Sequence, residues 1–498
     1  MRNGATGHRG GGSPSGQGRP GQAVARAVPR APGWLPLLLG ALVVVTHLPM
    51  FLRAFWSPDE GYLATEARML AAGGTLYGDV VDRKPPLLPW LYQGAFQVFG
   101  PVSLWPLRVL ALAALLVTAL LVASVARRRW GGSAGTVAGV FCVLLSTGLA
   151  PEDTQAATFE VFMLPATAAA FWLADRRLWG AAGVATAAAA MVKQTGGAVL
   201  LPILWMLYRT RGGGRARGLL RLALGCVLPV LALALLTGPG NFLFWVVSGS
   251  GDYAALDGAW LTALGRAAGN AGILAAAGLV LVLAVARRPR ASLREDGDLW
   301  IWFGGSVLGV MTGLHFFGHY YLQLVPPLAL LGTAALVRLG GRWTRTAVVW
   351  TAAASAVFLV LGLVSPTTDV TRARAVAAAI DARTTPRQSV LVWGMHPEIY
   401  WLADRTPASR YLTAGLLTNF AGGRDGRGVG VARGMAGAWT VFEQELRSRP
   451  PELIVDDSRG APYAPDHIAP LAALLARQYR EVGTVGGAIL YQLTPGSG

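Results

Sequence analysis

The sequence predicts a mainly α-helical protein: a polytopic transmembrane helical bundle of about eleven spans, followed by an extracytoplasmic α/β domain. Of its 498 residues, 53% are hydrophobic and only 14% are charged, whereas soluble domains carry about a quarter charged residues. Apolar runs recur over the first three quarters of the chain. After Ser365 they give way to alternating strand and helix patterns.

The N-terminal residues 1–33 are rich in Gly, Arg, Pro and Ser, and we predict a disordered cytoplasmic tail there. The apolar run Trp34–Leu52 has no small-residue cleavage site, so it is predicted to be a retained first span rather than a removed signal peptide. Cys142 and Cys226 lie inside apolar runs and are expected to be small buried hydrophobes rather than a disulfide.

The membrane region is predicted to extend over residues 34–365. The segment Trp179–Tyr208 would make one helix of roughly 45 Å, too long for a hydrocarbon core of about 30 Å. It is interrupted at Lys193 and both of its ends are basic, so we predict two short spans that meet at a polar break. The other runs are at 34–52, 102–126, 133–150, 157–174, 219–237, 262–286, 299–316, 320–337 and 346–364.

The net charge of +17 would suggest nucleic acid as a partner of a soluble protein. Here the arginines form short clusters between apolar runs, as in cytoplasmic loops, and no basic face with interleaved aromatics appears. We therefore expect no nucleic acid. The arginine-rich loops alternate with loops poor in Arg and Lys, which predicts a multi-pass protein of the cell membrane. Its N-terminus is placed in the cytoplasm, and Asp59, Lys84 and everything after Ser365 are placed outside.

Residues 366–498 are predicted to form the small extracytoplasmic domain. Strands are expected at 389–393, 452–456 and 487–491, and helices at 373–382, 438–447 and 466–479. The Gly-rich piece 421–437 is expected to be a flexible loop.

The first outside loop, residues 53–101, holds most of the candidate chemistry. Ser57-Pro58 is a good helix start, and Asp59–Ala72 is predicted to be a loosely amphipathic helix suited to lying at the membrane interface. Asp59 and Glu60 would occupy its first turn. Either they complement the helix dipole, or they are carboxylates placed for chemistry beside the bilayer.

Arg83-Lys84-Pro85-Pro86 opens the next apolar run, where the prolines suit the first turn of a helix. Lys84 either extends its ammonium to the interface as a snorkelling side chain or supplies a point charge for a phosphate. Only two of the 43 basic residues are lysines, Lys84 and Lys193, and this bias toward arginine favours a specific role for both.

Four further residues are expected at the same outer level. Glu160, at the mouth of the fourth span, is either a solvated helix start or a second carboxylate facing Asp59. Lys193 lies at a break where unwound backbone must be buried in protein or line a cavity, and an ion-pair role is one alternative. His319 and Tyr320 begin another span, where the simpler interpretation is an interfacial aromatic belt.

The order of these motifs resembles that of the integral-membrane GT-C glycosyltransferases. The series is Asp-Glu with Tyr two residues on, Lys-Pro-Pro-Leu, a Lys at a helix break, and His-Tyr-Tyr-Leu before Pro-Pro. It is similar to glycosyltransferase family 39, which groups protein O-mannosyltransferases with the aminoarabinose transferase of lipid A. The likeness extends over about residues 34–364.

The resemblance implies a transferase that moves a sugar from a polyprenyl-phosphate donor to an acceptor on the outer face. It implies that Asp59 is the catalytic acid/base residue, with Glu60 beside it as an acceptor or orienting contact. Lys84 is implied to bind the donor phosphate. Glu160 stands where relatives often have an aspartate, and His319-Tyr320 stands where many have Arg-Tyr.

The chemistry of such a transfer fits these residue types. A carboxylate can take the proton of the acceptor hydroxyl, and Lys84, with Arg83 or Lys193, can stabilise the departing phosphate. The reaction is expected to invert the anomeric centre. A divalent metal bridging Asp59 and Glu160 is compatible with the sequence but not required by it.

Expected partners are the lipid bilayer, the polyprenyl-phosphate sugar and a glycan, lipid or protein acceptor. The competing hypothesis is a polytopic transporter or flippase of lipids or sugars without transferase chemistry. Transporters often have paired repeats with a site at the midplane, whereas the polar residues here gather at one outer level. A third alternative is a non-catalytic subunit that binds a sugar lipid.

Overall fold

The computed structural model describes residues 32–210, 214–249, 260–287, 295–419 and 428–495. Several predictions fall outside these residues: those for most of the N-terminal tail, for residues 421–427 of the Gly-rich segment, and for parts of the loops between apolar runs at 211–213, 250–259 and 288–294.

The described part of the predicted membrane region is helical. It contains α1 (Leu35–Thr46), α2 (Pro58–Ala71), α3 (Leu87–Phe99), α4 (Trp105–Trp130), α5 (Gly132–Ser146), α6 (Pro151–Thr154), α7 (Phe159–Asp175), α8 (Trp179–Val192), α9 (Leu200–Tyr208), α10 (Arg215–Thr237), α11 (Pro239–Phe242), α12 (Trp260–Ala277), α13 (Leu279–Ala286), α14 (Gly297–Met311), α15 (Val325–Leu339) and α16 (Gly341–Val364). Short 3-10 segments cover Leu48–Leu52, Gln194–Val199 and Gly318–Leu324, and a π-helical turn covers Leu243–Ser248.

Every apolar run that the sequence marks as a span is helical, but many of the helices are short. Among the described residues, four are long and apolar enough to cross a bilayer alone: Trp105–Trp130, Arg215–Thr237, Gly318–Leu339 and Gly341–Asp381. The run 262–286 is not one straight span, because α12 and α13 meet at Gly278 with a bend of 89°.

Local chemistry explains the limits of α4. Pro106 lies in its first turn, where a missing N–H costs nothing. Its last turn carries Arg127, Arg128 and Arg129, which complement the negative end of the helix dipole. Gly131 follows with φ of 100°, a conformation that favours glycine.

The polar break predicted within 179–208 is present. Lys193 is extended, with φ −151° and ψ 133°, and a 3-10 segment connects it to α9. A cleft contains both Trp179, at the start of α8, and Trp205, near the end of α9. The ends of α8 and α9 that are far from the break therefore lie near each other, as expected for two short spans that meet at Lys193.

The arginine-rich loops meet at one end of the bundle. Arg129 binds Asp175 of α7 at 2.9 Å and Asp298 of α14 at 2.6 Å. Arg338, in the last turn of α15, lies 3.4 Å from Asp296. These ion pairs join four helix ends that the charge pattern assigns to one side of the membrane.

The helix of the first loop starts as predicted after Ser57-Pro58, but its apolar side does not lie free at an interface. Leu63, Ala64 and Ala67 are fully buried because α2 packs against α3 and against the C-terminal domain. The loop is thus part of the protein core.

The C-terminal domain contains a five-stranded sheet in the order β2-β1-β3-β5-β4. Its strands are β1 (Ser389–Trp393), β2 (Thr406–Pro407), β3 (Leu453–Asp456), β4 (Tyr479–Val485) and β5 (Ala488–Leu493). Its helices are α17 (Thr368–Asp381), α18 (Glu398–Leu402), α19 (Gly415–Thr418), α20 (Ala438–Ser448) and α21 (Ala469–Gln478). β1 is parallel to β2 and β3, and β5 is antiparallel to β3 and β4.

Of the three inner strands, β1 and β3 are buried along their whole length, as expected for apolar strands covered on both faces. β2 and β4 were not predicted from the sequence. β4 begins at Tyr479, where the helical pattern of 466–479 was expected to end, and most of its residues are exposed or half-buried.

Candidate functional site

The two acids of the first loop face different surroundings. The Ser57 backbone is extended, Pro58 is the first residue of α2, and Asp59 and Glu60 occupy the first turn. The Asp59 side chain is 47% exposed, whereas the Glu60 side chain is fully buried. Only Asp59 is therefore accessible to a substrate.

Glu60 fixes the position of α2. One carboxylate oxygen accepts a hydrogen bond from the Trp56 N–H at 2.7 Å, and the other accepts one from the Ala157 N–H at 2.8 Å. Buried Arg108 lies 3.4 Å from the first oxygen and donates to the carbonyls of Arg53 and Ala54 at 2.6 and 2.9 Å. A buried carboxylate with these partners orients its neighbour, Asp59.

His319 lies beside Asp59, with its Nε2 3.7 Å from Asp59 Oδ2. Its Nδ1 lies 3.0 Å from Asp153 Oδ1, which also accepts the His319 backbone N–H at 2.8 Å. The imidazole thus stands between two carboxylates. Asp153 belongs to α6 and was not among the site residues expected from the sequence.

Glu160 and Lys193 form a buried ion pair, with side-chain exposures of 0% and 7%. Glu160 lies in the first turn of α7, and Lys193 at the break after α8. The Lys193 ammonium also lies 3.9 Å from the centre of the Tyr320 ring, within cation–π distance. The structure therefore brings together the start of α7, the break after α8 and the 3-10 segment Gly318–Leu324.

Arg83 and Lys84 are held next to this break through their backbone. Tyr77 donates its hydroxyl to the Lys84 carbonyl at 2.6 Å, and the Gln194 side-chain amide donates to the Arg83 carbonyl at 2.8 Å. The Lys84 ammonium lies 5.3 Å from the ring centre of Phe159, the residue before Glu160. Both lysines of the chain thus lie near the start of α7.

Two further carboxyl groups line the first loop, and sequence reasoning missed both. Burial raises the pKa of Asp82 to about 6, although Lys84 and Arg83 lower it. Burial also raises the pKa of Glu66 well above its usual value, and neither Glu66 carboxyl oxygen has a hydrogen-bond partner among the described residues. Burial therefore favours the protonated form of Glu66, whereas Asp82 keeps its proton only below about pH 6.

The C-terminal domain packs against α2 through α18. Gly61 approaches Glu398 so closely that a Cβ at Gly61 would lie 2.4 Å from the Glu398 Cβ. The Thr65 hydroxyl donates to the Pro397 carbonyl at 2.8 Å, and Arg68 forms a 2.9 Å ion pair with Asp404. The domain is therefore in direct contact with the helix that presents Asp59.

The residues near Asp59 do not fit a divalent metal. Across the described ranges, no group of three or more His, Cys, Asp or Glu side chains could hold such an ion. The Glu160 carboxylate, expected as the second ligand, is paired with the Lys193 ammonium.

Comparison with known proteins finds similarity to glycosyltransferases in part of the sequence and in the fold. Residues 83–237 match the family described as dolichyl-phosphate-mannose-protein mannosyltransferase. No curated protein matches the chain in sequence.

The fold is similar to that of ArnT from Cupriavidus metallidurans, a crystal structure in the apo state. The TM-score is 0.62 at 16% identity, and the alignment covers 92% of this chain and 97% of that one. The fold is also similar to that of the archaeal oligosaccharyltransferase AglB from Archaeoglobus fulgidus, in complex with an inhibitory peptide and a dolichol-phosphate. There the TM-score is 0.51 at 12% identity, covering 93% of this chain and 74% of that one.

The mainly helical bundle, the small C-terminal sheet and the matched family segment agree with the order of the motifs. The resemblance inferred from the sequence is confirmed: the fold is similar to that of ArnT over most of the chain, and residues 83–237 match a mannosyltransferase family.

Proposed function

We propose that this protein transfers a sugar from a polyprenyl-phosphate donor to an acceptor hydroxyl on the outer face of the cell membrane, with inversion of the anomeric centre. One observation carries the proposal: Asp59, the half-exposed acid of α2, lies beside His319, while Lys84 and Lys193 lie near the start of α7 at the same end of the bundle.

Asp59 suits the role of general base. Its carboxylate is accessible, whereas Glu60 is buried and fixed by hydrogen bonds from backbone N–H groups. A positioned carboxylate removes the acceptor proton as the new bond forms, a contribution of about 10²–10⁴-fold in rate. Because Glu60 orients the turn that holds Asp59, the two adjacent acids have separate roles.

Lys84 suits the donor phosphate. It is a compact cation beside Arg83, at the mouth of the bundle, and its backbone is held by Tyr77. Lys193 is paired with Glu160, and we assign the donor phosphate to Lys84 because the resemblance rests on its Lys-Pro-Pro-Leu motif. Positive charge at the departing phosphate stabilises the transition state more than the ground state.

The expectation of inversion is supported by the number of free carboxylates. Retention through a covalent intermediate needs a second carboxylate as nucleophile. Among the described residues around Asp59, Glu160 is paired with Lys193, Asp153 holds His319, Glu60 is buried, and the Asp82 carboxyl group interacts with Lys84. One base and a direct displacement then give inversion.

The name of the matched family supports a donor with a polyprenyl-type phosphate. The dolichol-phosphate bound in the AglB complex is a lipid of the same chemical class. The charge pattern of the loops supports an outer location of the site and a cytoplasmic N-terminus. The acceptor class remains a glycan, a lipid or a protein.

A transfer assay on the purified protein tests this function. The protein in lipid nanodiscs would receive polyprenyl-phosphate hexoses and pentoses, together with acceptors extracted from cell envelopes. We expect release of polyprenyl phosphate matched by a glycosylated product of inverted configuration. Movement of the intact sugar lipid between leaflets of proteoliposomes, with no release of polyprenyl phosphate, would instead show a flippase.

A further inference from the structure

The Asp153 carboxylate contacts both the backbone and the ring of His319, and the proposed transfer step does not yet give this contact a role. A single oxygen, Oδ1, lies 2.8 Å from the His319 backbone nitrogen and 3.0 Å from Nδ1 of the ring. Both side chains are about 85% buried, with exposures of 15% and 14%. The two residues are 166 positions apart in the sequence, so the contact is created by the fold.

The backbone at Gly318 is adapted to this contact. A Cβ at Gly318 would lie 2.1 Å from Asp153 Oδ2, well inside any tolerated separation. Glycine therefore permits the carboxylate to reach both the backbone and the ring of the next residue.

The contact determines which ring nitrogen carries the proton. An ionised carboxylate only accepts hydrogen bonds, so Nδ1 of His319 must donate to Asp153. In the neutral imidazole the other nitrogen, Nε2, then has a free lone pair. That nitrogen is the one that lies 3.7 Å from Asp59 Oδ2.

The ring is also held in place on its faces. Phe317 is nearly parallel to it, with ring centres 5.7 Å apart and an interplanar angle of 7°. Tyr320 contacts it edge-on at 4.9 Å and 87°. These two rings set the plane of the imidazole, whose Nε2 lies 3.7 Å from Asp59 Oδ2.

We propose that Asp153 and His319 form a proton relay that restores Asp59 after each transfer, an inference that rests on the proposed function. The acceptor oxygen bonds to the anomeric carbon, the bond from that carbon to the phosphate oxygen breaks, and its electron pair leaves with the phosphate. The acceptor proton passes to Asp59 and from there to Nε2 of His319. The Asp153 carboxylate stabilises the resulting imidazolium, which later returns the proton to solvent or to the departing phosphate.

Asp153 could instead serve only to hold the turn at His319 through the backbone hydrogen bond. The two roles make different predictions for catalysis. The relay requires the proton on Nδ1 and a contribution of the ring to kcat, whereas a purely structural role leaves kcat unchanged as long as the protein folds. The relay also requires that substitution of Asp153 and substitution of His319 remove the same contribution to kcat.

Histidine NMR tests the ring tautomer that the relay requires, without an activity assay. The chain has six histidines, and the His319→Gln variant identifies the signal of His319 in ¹⁵N-histidine spectra. We expect the neutral ring to carry its proton on Nδ1 in the wild type and to shift toward the other tautomer in Asp153→Asn. Glu152→Gln is the matched control, because it removes an equal charge from the exposed neighbour on the same short helix. A wild-type ring protonated on Nε2 would overturn the relay.

A kinetic double-mutant cycle completes the test. We expect Asp153→Asn and His319→Gln each to lower kcat about 10²-fold, with less than threefold change in donor KM, and the double variant to lose no more than either. Additive losses, or a loss confined to KM, would overturn the relay. If the wild type transfers no sugar at all, the proposed function fails instead. If Asp153→Asn does not fold, the comparison of His319→Gln with wild type still decides whether kcat falls.

Discussion

Lys193 and Glu160 form an ion pair that is almost completely removed from solvent, at the point where α8 ends and α7 begins. Removing one partner of such a pair leaves a buried charge without compensation, which costs about 3–5 kcal/mol. The pair also connects the break at Lys193 to the Tyr320 ring. Its first role is therefore to hold the polar break in one conformation.

Glu160→Gln and Lys193→Met are each expected to lower the free energy of unfolding by about 3–5 kcal/mol. The double variant should lose less than the sum, because neither charge is then left unpaired. Thermal unfolding in detergent or nanodiscs measures the stability of the two single variants and of the double variant. Strictly additive losses would mean that the two side chains do not interact in the folded protein.

Gly61→Ala is expected to loosen the C-terminal domain from α2. The added methyl group would lie 2.4 Å from the Glu398 Cβ, and overpacking of this kind costs about 1–3 kcal/mol. Gly94→Ala is the matched control in α3, since nothing lies within 4 Å of its added Cβ, and it should be neutral or slightly stabilising. Limited proteolysis near residues 366–388 reports domain release; equal digestion of both variants would contradict the contact.

Asp82 predicts a pH dependence of stability. Its pKa in the folded state is raised to about 6 by burial, above the unfolded value of about 3.9. The folded protein thus binds more protons between these values, and stability falls as the pH rises from about 4 to 6, by about 3 kcal/mol. Relative to Asp82→Asn, the wild type should lose stability across this window. Parallel curves for the two proteins would show that Asp82 titrates normally.

Lys84→Ala should raise the donor KM and lower kcat, each by about tenfold, because it removes a charge from both the bound and the departing phosphate. Lys84→Arg keeps the charge and should retain most of the activity. The measurement is the initial rate at varied donor concentration. A Lys84→Ala protein that is less stable but has an unchanged donor KM would place Lys84 outside the donor site.

Much of the fold follows from periodicity and charge. The apolar runs, the break at Lys193 and the limits of β1 depend on short-range patterns, and these predictions are confirmed. The bend at Gly278 and the strand β4 were missed. The bend lies between two apolar helices, and β4 is a half-exposed strand at the edge of the sheet. Both features are determined by tertiary packing, so the local sequence pattern does not predict them.

The sequence predicted most of the charged residues of the candidate site, but it did not predict which of them contact each other. Asp59, Lys84 and Lys193 stand out as costly charges in an apolar chain. Arg108 had the same signal, a lone arginine inside an apolar run, and its partner Glu60 is 48 residues away. Asp153 gave no local signal, because its contact with His319 exists only after helices distant in sequence have assembled.

The turnover number of Asp59→Asn tests the central claim most directly. The substitution keeps the shape of the side chain and removes its basicity, so transfer from a polyprenyl-phosphate sugar should fall about 10²–10⁴-fold, while expression and thermal stability stay near those of the wild type. Glu152→Gln, a charge-matched control outside the site, should transfer normally. Turnover of Asp59→Asn within twofold of the wild type would contradict the assignment of Asp59 as the catalytic base.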